Sequence, residues 1–112
     1  MIEYELEGKI VIITGASTGL GEQFCHAFAH SGADVVLAAR RYELLEKNAD
    51  DISKQYGVRT LAIRTDVTVE SDIIRLVQET SNEFGTVDVL VNNAGMYISK
   101  PLLEQTLDDW YQ

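Results

Sequence analysis

The sequence has little of several things, and each shortage excludes something. It has one cysteine, Cys25, so no disulfide can form within the chain and a disulfide-stapled fold is excluded. It has one proline in 112 residues, which excludes collagen-like and proline-rich architectures. Basic residues are scarce: nine Lys and Arg stand against eighteen Asp and Glu, for a net charge of −9. Nucleic acids and anionic membranes both require a clustered positive surface, so neither is expected as a partner. No apolar run approaches the length of a membrane span. The opening residues, Met1-Ile2-Glu3-Tyr4-Glu5, lack the basic start and apolar stretch of a signal peptide. The lone thiol falls inside an apolar helical run and reads as buried and inert; a reducing cytoplasm is the expected compartment. No metal site is expected.

What is present is the composition of one ordinary globular domain, residues 1–112, with 46% hydrophobic and 24% charged residues. Strand-like and helix-like segments alternate. Lys9 to Thr14 is a short β-branched run that suits a strand buried on both faces. Residues 19–31 follow as a helix, with Leu20, Phe24, Ala27 and Phe28 on its inner face and Gly32 at its C-terminus. Asp34 to Ala39 reads as a second buried strand. A helix over 41–56 carries Leu45, Ala49, Ile52 and Tyr56 on one face and stops near Gly57. Arg59 to Thr65 is a third strand. Thr68 is the expected N-cap of the next helix, with Glu70 and Asp72 in its first turn. That helix turns Ile73, Val77 and Phe84 inward and ends near Gly85. Val87 to Val91 is a fourth strand, closed by Asn92-Asn93-Ala94-Gly95, and a last helix begins near Leu103 or Leu107. This rhythm implies a parallel sheet with right-handed crossovers.

Between the first strand and the first helix lies Thr14-Gly15-Ala16-Ser17-Thr18-Gly19-Leu20-Gly21. That junction is the context a dinucleotide-binding turn requires. Gly15 lets the chain leave the strand tightly. Gly19 keeps side-chain bulk away from a pyrophosphate, and Gly21 lets the helix pack close to the strand. The helix N-terminus then offers free N–H groups and the positive end of its dipole. Ser17 and Thr18 add hydroxyl donors.

A site for the unphosphorylated cofactor usually carries Asp or Glu at the end of the second strand, to bind the ribose 2′-OH. Here that stretch is Ala38-Ala39-Arg40-Arg41. Asp34 is at the wrong end of the strand, and Glu43 is already in the helix. Two arginines at a helix N-terminus oppose the dipole, and a 2′-phosphate would resolve the mismatch. NADP(H) is therefore favoured over NAD(H), with Arg40 the better candidate. Asp66 follows the third strand, where its carboxylate can accept from an adenine amino group while Val67 lies against the ring. The plainer alternative is that Asp66 only helps to cap the next helix. Asn92, Asn93, Ala94 and Gly95 end the fourth strand. Amides there can bond neighbouring backbone, and Ala94 and Gly95 leave room for a ribose.

Taken together, the glycine turn, Asp66-Val67 and Asn92-Asn93-Ala94-Gly95 resemble the short-chain dehydrogenase/reductase family in order and spacing. The resemblance covers nearly the whole chain. It implies a Rossmann-like α/β fold with strand order 3-2-1-4, helices on both faces, and NAD(P)(H)-dependent interconversion of an alcohol and a carbonyl. It also implies that Thr14 and the Asn-Asn-Ala-Gly turn support the sheet and the cofactor pocket, and that Arg40 matches members preferring NADP(H). The cofactor residues it implies are Gly15, Ser17, Thr18, Gly19, Leu20, Gly21, Arg40, Asp66, Val67, Asn93, Ala94 and Gly95.

One departure matters as much. Family chemistry uses a Tyr-x-x-x-Lys pair and an upstream Ser: the phenol transfers the proton, the ammonium lowers its pKa, and the serine orients the carbonyl. The sequence contains no Tyr-x-x-x-Lys. Tyr4 leads to Gly8, Tyr42 to Glu46, Tyr56 to Thr60 and Tyr97 to Pro101, and Tyr111 is followed by one residue. No catalytic residue is therefore assigned, and the chain reads as the N-terminal, cofactor-binding part of a longer enzyme, truncated after the fourth strand and the start of the next helix and inactive alone. The alternative is a non-catalytic NADP(H)-binding module or remnant. The fourth strand, with Val87, Val89, Leu90 and Val91, is expected to be an exposed apolar edge that favours a homo-oligomer.

Overall fold

The computed structural model describes residues 5–17 and 19–93. Seven elements alternate along it: β1 (Ile10–Thr14), α1 (Gly19–His30), β2 (Asp34–Ala39), α2 (Tyr42–Tyr56), β3 (Thr60–Arg64), α3 (Glu70–Phe84) and β4 (Val89–Asn92). The four strands form one parallel sheet in the order β3-β2-β1-β4. The expected last helix and the residues Thr18, Ala94 and Gly95 lie outside the described residues.

The two central strands explain the architecture. Every residue of β1 and β2 is buried, because helices cover both faces of the sheet. Alternate side chains serve the two sides. Val11, Ile13, Val35 and Leu37 join Cys25 and Ala29 of α1 and Leu45, Ala49 and Ile52 of α2. Ile10, Ile12, Val36 and Ala38 join Ile73 and Leu76 of α3, together with Ile63 and Leu90. Burying each large aliphatic side chain contributes roughly 1.5–3 kcal/mol, so this double core dominates the stability.

The parallel register aligns the strand ends. Thr14 stands beside Ala38 on one side and Asn92 on the other, and Ala39 stands beside Arg64. The segments that leave the sheet there all emerge on one edge: the glycine turn, Arg40-Arg41, Thr65-Asp66 and Asn93. The opposite edge is held by carboxylates. Asp34 accepts from the Arg59 guanidinium at 2.7 Å and 2.9 Å and from the Arg59 backbone N–H at 2.9 Å. The same guanidinium lies 4.8 Å from the centre of the Phe84 ring. Asp88 accepts the Ile10 N–H at 2.8 Å. Asp34 is thus committed to structure at the far edge, as its position in the strand implied.

Three details differ from expectation. The inner face of α1 is Gly21, Cys25 and Ala29 rather than Leu20, Phe24, Ala27 and Phe28. Leu20 is 56% exposed, Ala27 is exposed, and Phe24 and Phe28 pack only partly. The cause is distance: a helix this close to the sheet admits only small side chains beneath it, so the bulky ones flank the contact. The N-cap of α3 is Val69, with no side-chain cap; Thr68 instead turns both its N–H and its hydroxyl to Asp66. Finally, Val87 and Leu90 are buried and Val89 and Val91 partly so. Among the described residues β1 is the strand that pairs with β4.

Burial also decides the chemistry of Cys25. Desolvation, reinforced by the nearby Glu22 carboxylate, pushes its thiol up to about 12. Native chain at pH 8 is expected to leave a disulfide reagent such as Ellman's unreacted until denaturant is added; prompt stoichiometric reaction of the native chain would contradict this packing.

Candidate functional site

The loop from β1 to α1 is shaped by backbone requirements. Gly15 and Gly19 have φ of +62° and +59°, a region that costs other residues roughly 1–2 kcal/mol. Gly21 is required for a different reason: a Cβ there would overlap the Gly15 carbonyl and reach the Asn93 amide nitrogen. The first turn of α1 therefore rests on the backbone of the loop itself. At Gly19 the opposite holds, since a Cβ would meet nothing within 4 Å. That open space is where a ligand can approach the start of the helix.

Neighbouring elements fix the loop from three sides. The Ala16 N–H donates to Ala38 O of β2 at 3.2 Å. The Thr14 hydroxyl donates to Asn92 Oδ1 at 2.7 Å and accepts the Asn93 N–H at 3.0 Å, locking the ends of β1 and β4 together. Asn93 Nδ2 reaches Gly15 O at 3.5 Å, at the limit of a hydrogen bond. Asn48 of α2 donates through Nδ2 to Ser17 O at 2.9 Å. Asn48 was not among the expected site residues. The signal for it was a polar residue amid Leu45, Ala49 and Ile52 on the inner face of α2, where it is buried.

These segments enclose a groove of about 470 Å³, within the range of small-molecule sites. Of the expected residues, Gly15, Ser17, Arg40, Asp66, Val67 and Asn93 line it. Gly19 and Leu20 are exposed at the start of α1, and Gly21 lies beneath, against the loop. Arg41, also on the groove wall, is the N-cap residue of α2 and makes no side-chain cap bond. Arg40 and Arg41 thus stand at the positive end of a helix dipole. Among the described residues neither joins a carboxylate in an ion pair. Asp66 lies across the groove. Its Oδ1 accepts the Thr68 hydroxyl at 2.6 Å and the Thr68 N–H at 2.9 Å. These two bonds, with a smaller contribution from Arg40, hold its carboxyl below the usual carboxylate range, so it is an ionised acceptor at neutral pH.

The donor set fits a dinucleotide: a glycine loop and helix start for phosphates, a cationic corner for a further phosphate, and a fixed carboxylate for an amino group. No group of three or more metal-ligating side chains occurs among the described residues, and no helix there is long and apolar enough to cross a membrane.

Comparison with known proteins agrees with this geometry. The family model for short chain dehydrogenase matches residues 9–112. An uncharacterized oxidoreductase of Staphylococcus saprophyticus is 39% identical over 108 residues, covering 96% of this chain and 42% of that protein. The NADP-dependent mannitol dehydrogenase of Alternaria alternata is 38% identical over 110 residues, covering 96% and 41%. Among solved structures, L-sorbose reductase from Gluconobacter frateurii, complexed with NADPH and L-sorbose, superposes with a TM-score of 0.80 at 32% identity, covering 97% of this chain and 42% of that one. The chain spans less than half the length of these relatives.

The two glycine roles separate by experiment. Gly21→Ala is expected to lower unfolding stability by about 3 kcal/mol through overlap with Gly15. Gly19→Ala should cost about 1 kcal/mol, for the left-handed backbone alone. Urea denaturation of both variants checks the order, and equal losses would contradict the close contact of α1 with the loop.

Proposed function

The chain belongs to the short chain dehydrogenase family, and we propose that it is the cofactor-binding domain of an NADP(H)-dependent oxidoreductase that interconverts an alcohol and a carbonyl. The observation that carries the cofactor preference is the groove's corner at the end of β2: two arginines and no carboxylate, at a helix N-terminus. A 2′-hydroxyl would find no acceptor from that strand end, whereas a 2′-phosphate meets guanidinium donors and a favourable dipole. The NADP dependence of the mannitol dehydrogenase and the NADPH bound to the sorbose reductase support the same preference.

In this reading the nicotinamide, when bound, supplies the hydride chemistry, and this chain supplies grip and orientation. Gly15, Ser17, Thr18, Gly19 and Gly21 build the loop that receives the pyrophosphate, with Leu20 beside it. Arg40 binds the 2′-phosphate. Asp66 accepts from the adenine amino group and Val67 packs on the ring. Asn93 bonds the backbone of the loop, and Ala94 and Gly95 leave room for a ribose. The stretch that would hold the proton-transferring Tyr-x-x-x-Lys and its serine is absent from this sequence, so the 112-residue chain is expected to bind cofactor without turning it over. The second reading is a non-catalytic NADP(H)-binding module. Sequencing the coding DNA past Gln112 separates the two: a Ser and a Tyr-x-x-x-Lys establish the enzyme, and an immediate stop codon favours the module.

The apolar fourth strand, which pairs with β1 among the described residues, is the ground for proposing self-association. Sedimentation equilibrium is expected to show a dimer at high concentration; a stable monomer throughout would contradict this. For the cofactor, fluorescence titration should show NADPH binding more tightly than NADH. Arg40→Ala should weaken NADPH binding about 10- to 100-fold, the loss of a charge-assisted contact, and leave NADH within about twofold. Equal weakening of both cofactors would remove Arg40 from the 2′-phosphate site.

A further inference from the structure

We infer that Asn48, in the middle of α2, is a positioning residue for the phosphate-binding loop, and that α2 thereby ties the loop to the arginine corner as one rigid unit. This rests on the dinucleotide reading of the groove and adds to it a residue that does not line the groove. Asn48 is 7% exposed and occupies a core-facing position between Leu45 and Ile52. An amide is costly to bury there unless its polar atoms find partners. The partner observed for Nδ2 is Ser17 O, at 2.9 Å and 31 residues earlier in the chain.

The consequence for an anion is direct. A phosphate on a glycine loop is attracted by N–H groups and repelled by carbonyl oxygens. Asn48 draws one such carbonyl toward α2, on the side of the second surface depression, between α1 and α2, that Asn48 itself lines with Glu22 and His26. The carboxylates of Glu22 and Asp51 line that depression and its Lys54 pairs with Asp50, so it is a poorer place for a phosphate than the arginine corner. The same helix begins at Tyr42, directly after Arg40 and Arg41. One rigid element therefore sets the distance between the loop and the cationic corner. Preorganisation of this kind lowers the ordering cost of binding a ligand that spans both.

The inference is tested on the full chain with two probes: NADPH, which spans loop and corner, and adenosine 2′-monophosphate, which has no pyrophosphate and engages only the corner and the adenine side. Asn48→Ala removes the donor. Asn48→Asp keeps the shape and replaces the donor with a carboxylate, so that packing loss and donor loss are separated. Variants are compared at matched circular dichroism. Both are expected to weaken NADPH about tenfold and to leave adenosine 2′-monophosphate within about twofold. Equal weakening of the two probes would mean that Asn48 acts only through general stability, and unchanged NADPH affinity would mean that the loop does not depend on it; either overturns the inference. Wild-type chain that binds neither probe contradicts the cofactor reading itself, an outcome distinguishable from both.

Discussion

The first turn of α1 lies on the carbonyl of Gly15, and the functional edge of the molecule follows from that contact. A side chain at position 21 would separate helix and loop. Without one, the start of the helix packs directly on the loop whose Gly15 and Ser17 line the groove. The contact also dictates what lies further along the helix: only Gly21, Cys25 and Ala29 fit beneath it. Thr14 then anchors the same loop to β4 through Asn92 and Asn93. The loop is thus determined by backbone proximity, and its side chains are secondary.

For an acidic chain proposed to bind an anionic cofactor there is an apparent conflict, which the distribution of charge resolves. The net charge is −9, yet the structural carboxylates Asp34 and Asp88 are used at the far edge of the sheet, pairing with Arg59 and the Ile10 N–H. Among the described residues the groove is instead lined by Arg40 and Arg41 and by one carboxylate, Asp66, which accepts from Thr68. Helix N-termini and guanidinium groups act at contact distance. The remaining acidic surface acts through water and is screened beyond about 8 Å at physiological salt. On the proposed reading, recognition follows the local donors rather than the total charge.

Much of this was legible in the sequence, and the reasons differ by element. The continuous β-branched runs of β1 and β2 could only be strands covered on both faces, and the glycine spacing placed the loop between strand and helix. The strand order came with the family resemblance, since periodicity does not say which strands are neighbours. The inner face of α1 was misjudged because bulky apolar residues usually mark a buried stripe, while here proximity selects the smallest. Thr68 had the right chemistry for a cap but was captured by Asp66 two residues earlier. Asn48 was passed over because its partner, the Ser17 carbonyl, leaves no mark in sequence; a lone amide on an apolar face was the only hint.

The central claim is that the edge formed by the glycine loop, Arg40 and Asp66 is where a dinucleotide binds. Amide chemical shifts of the labelled chain, followed by NMR as NADPH is added, test it most directly. The account predicts saturable shifts at Gly15, Ser17, Gly19, Arg40, Asp66 and Asn93, with Asp34, Arg59 and Asp88 at the opposite edge unmoved. Shifts concentrated in the depression between α1 and α2, or none at millimolar cofactor, would contradict it.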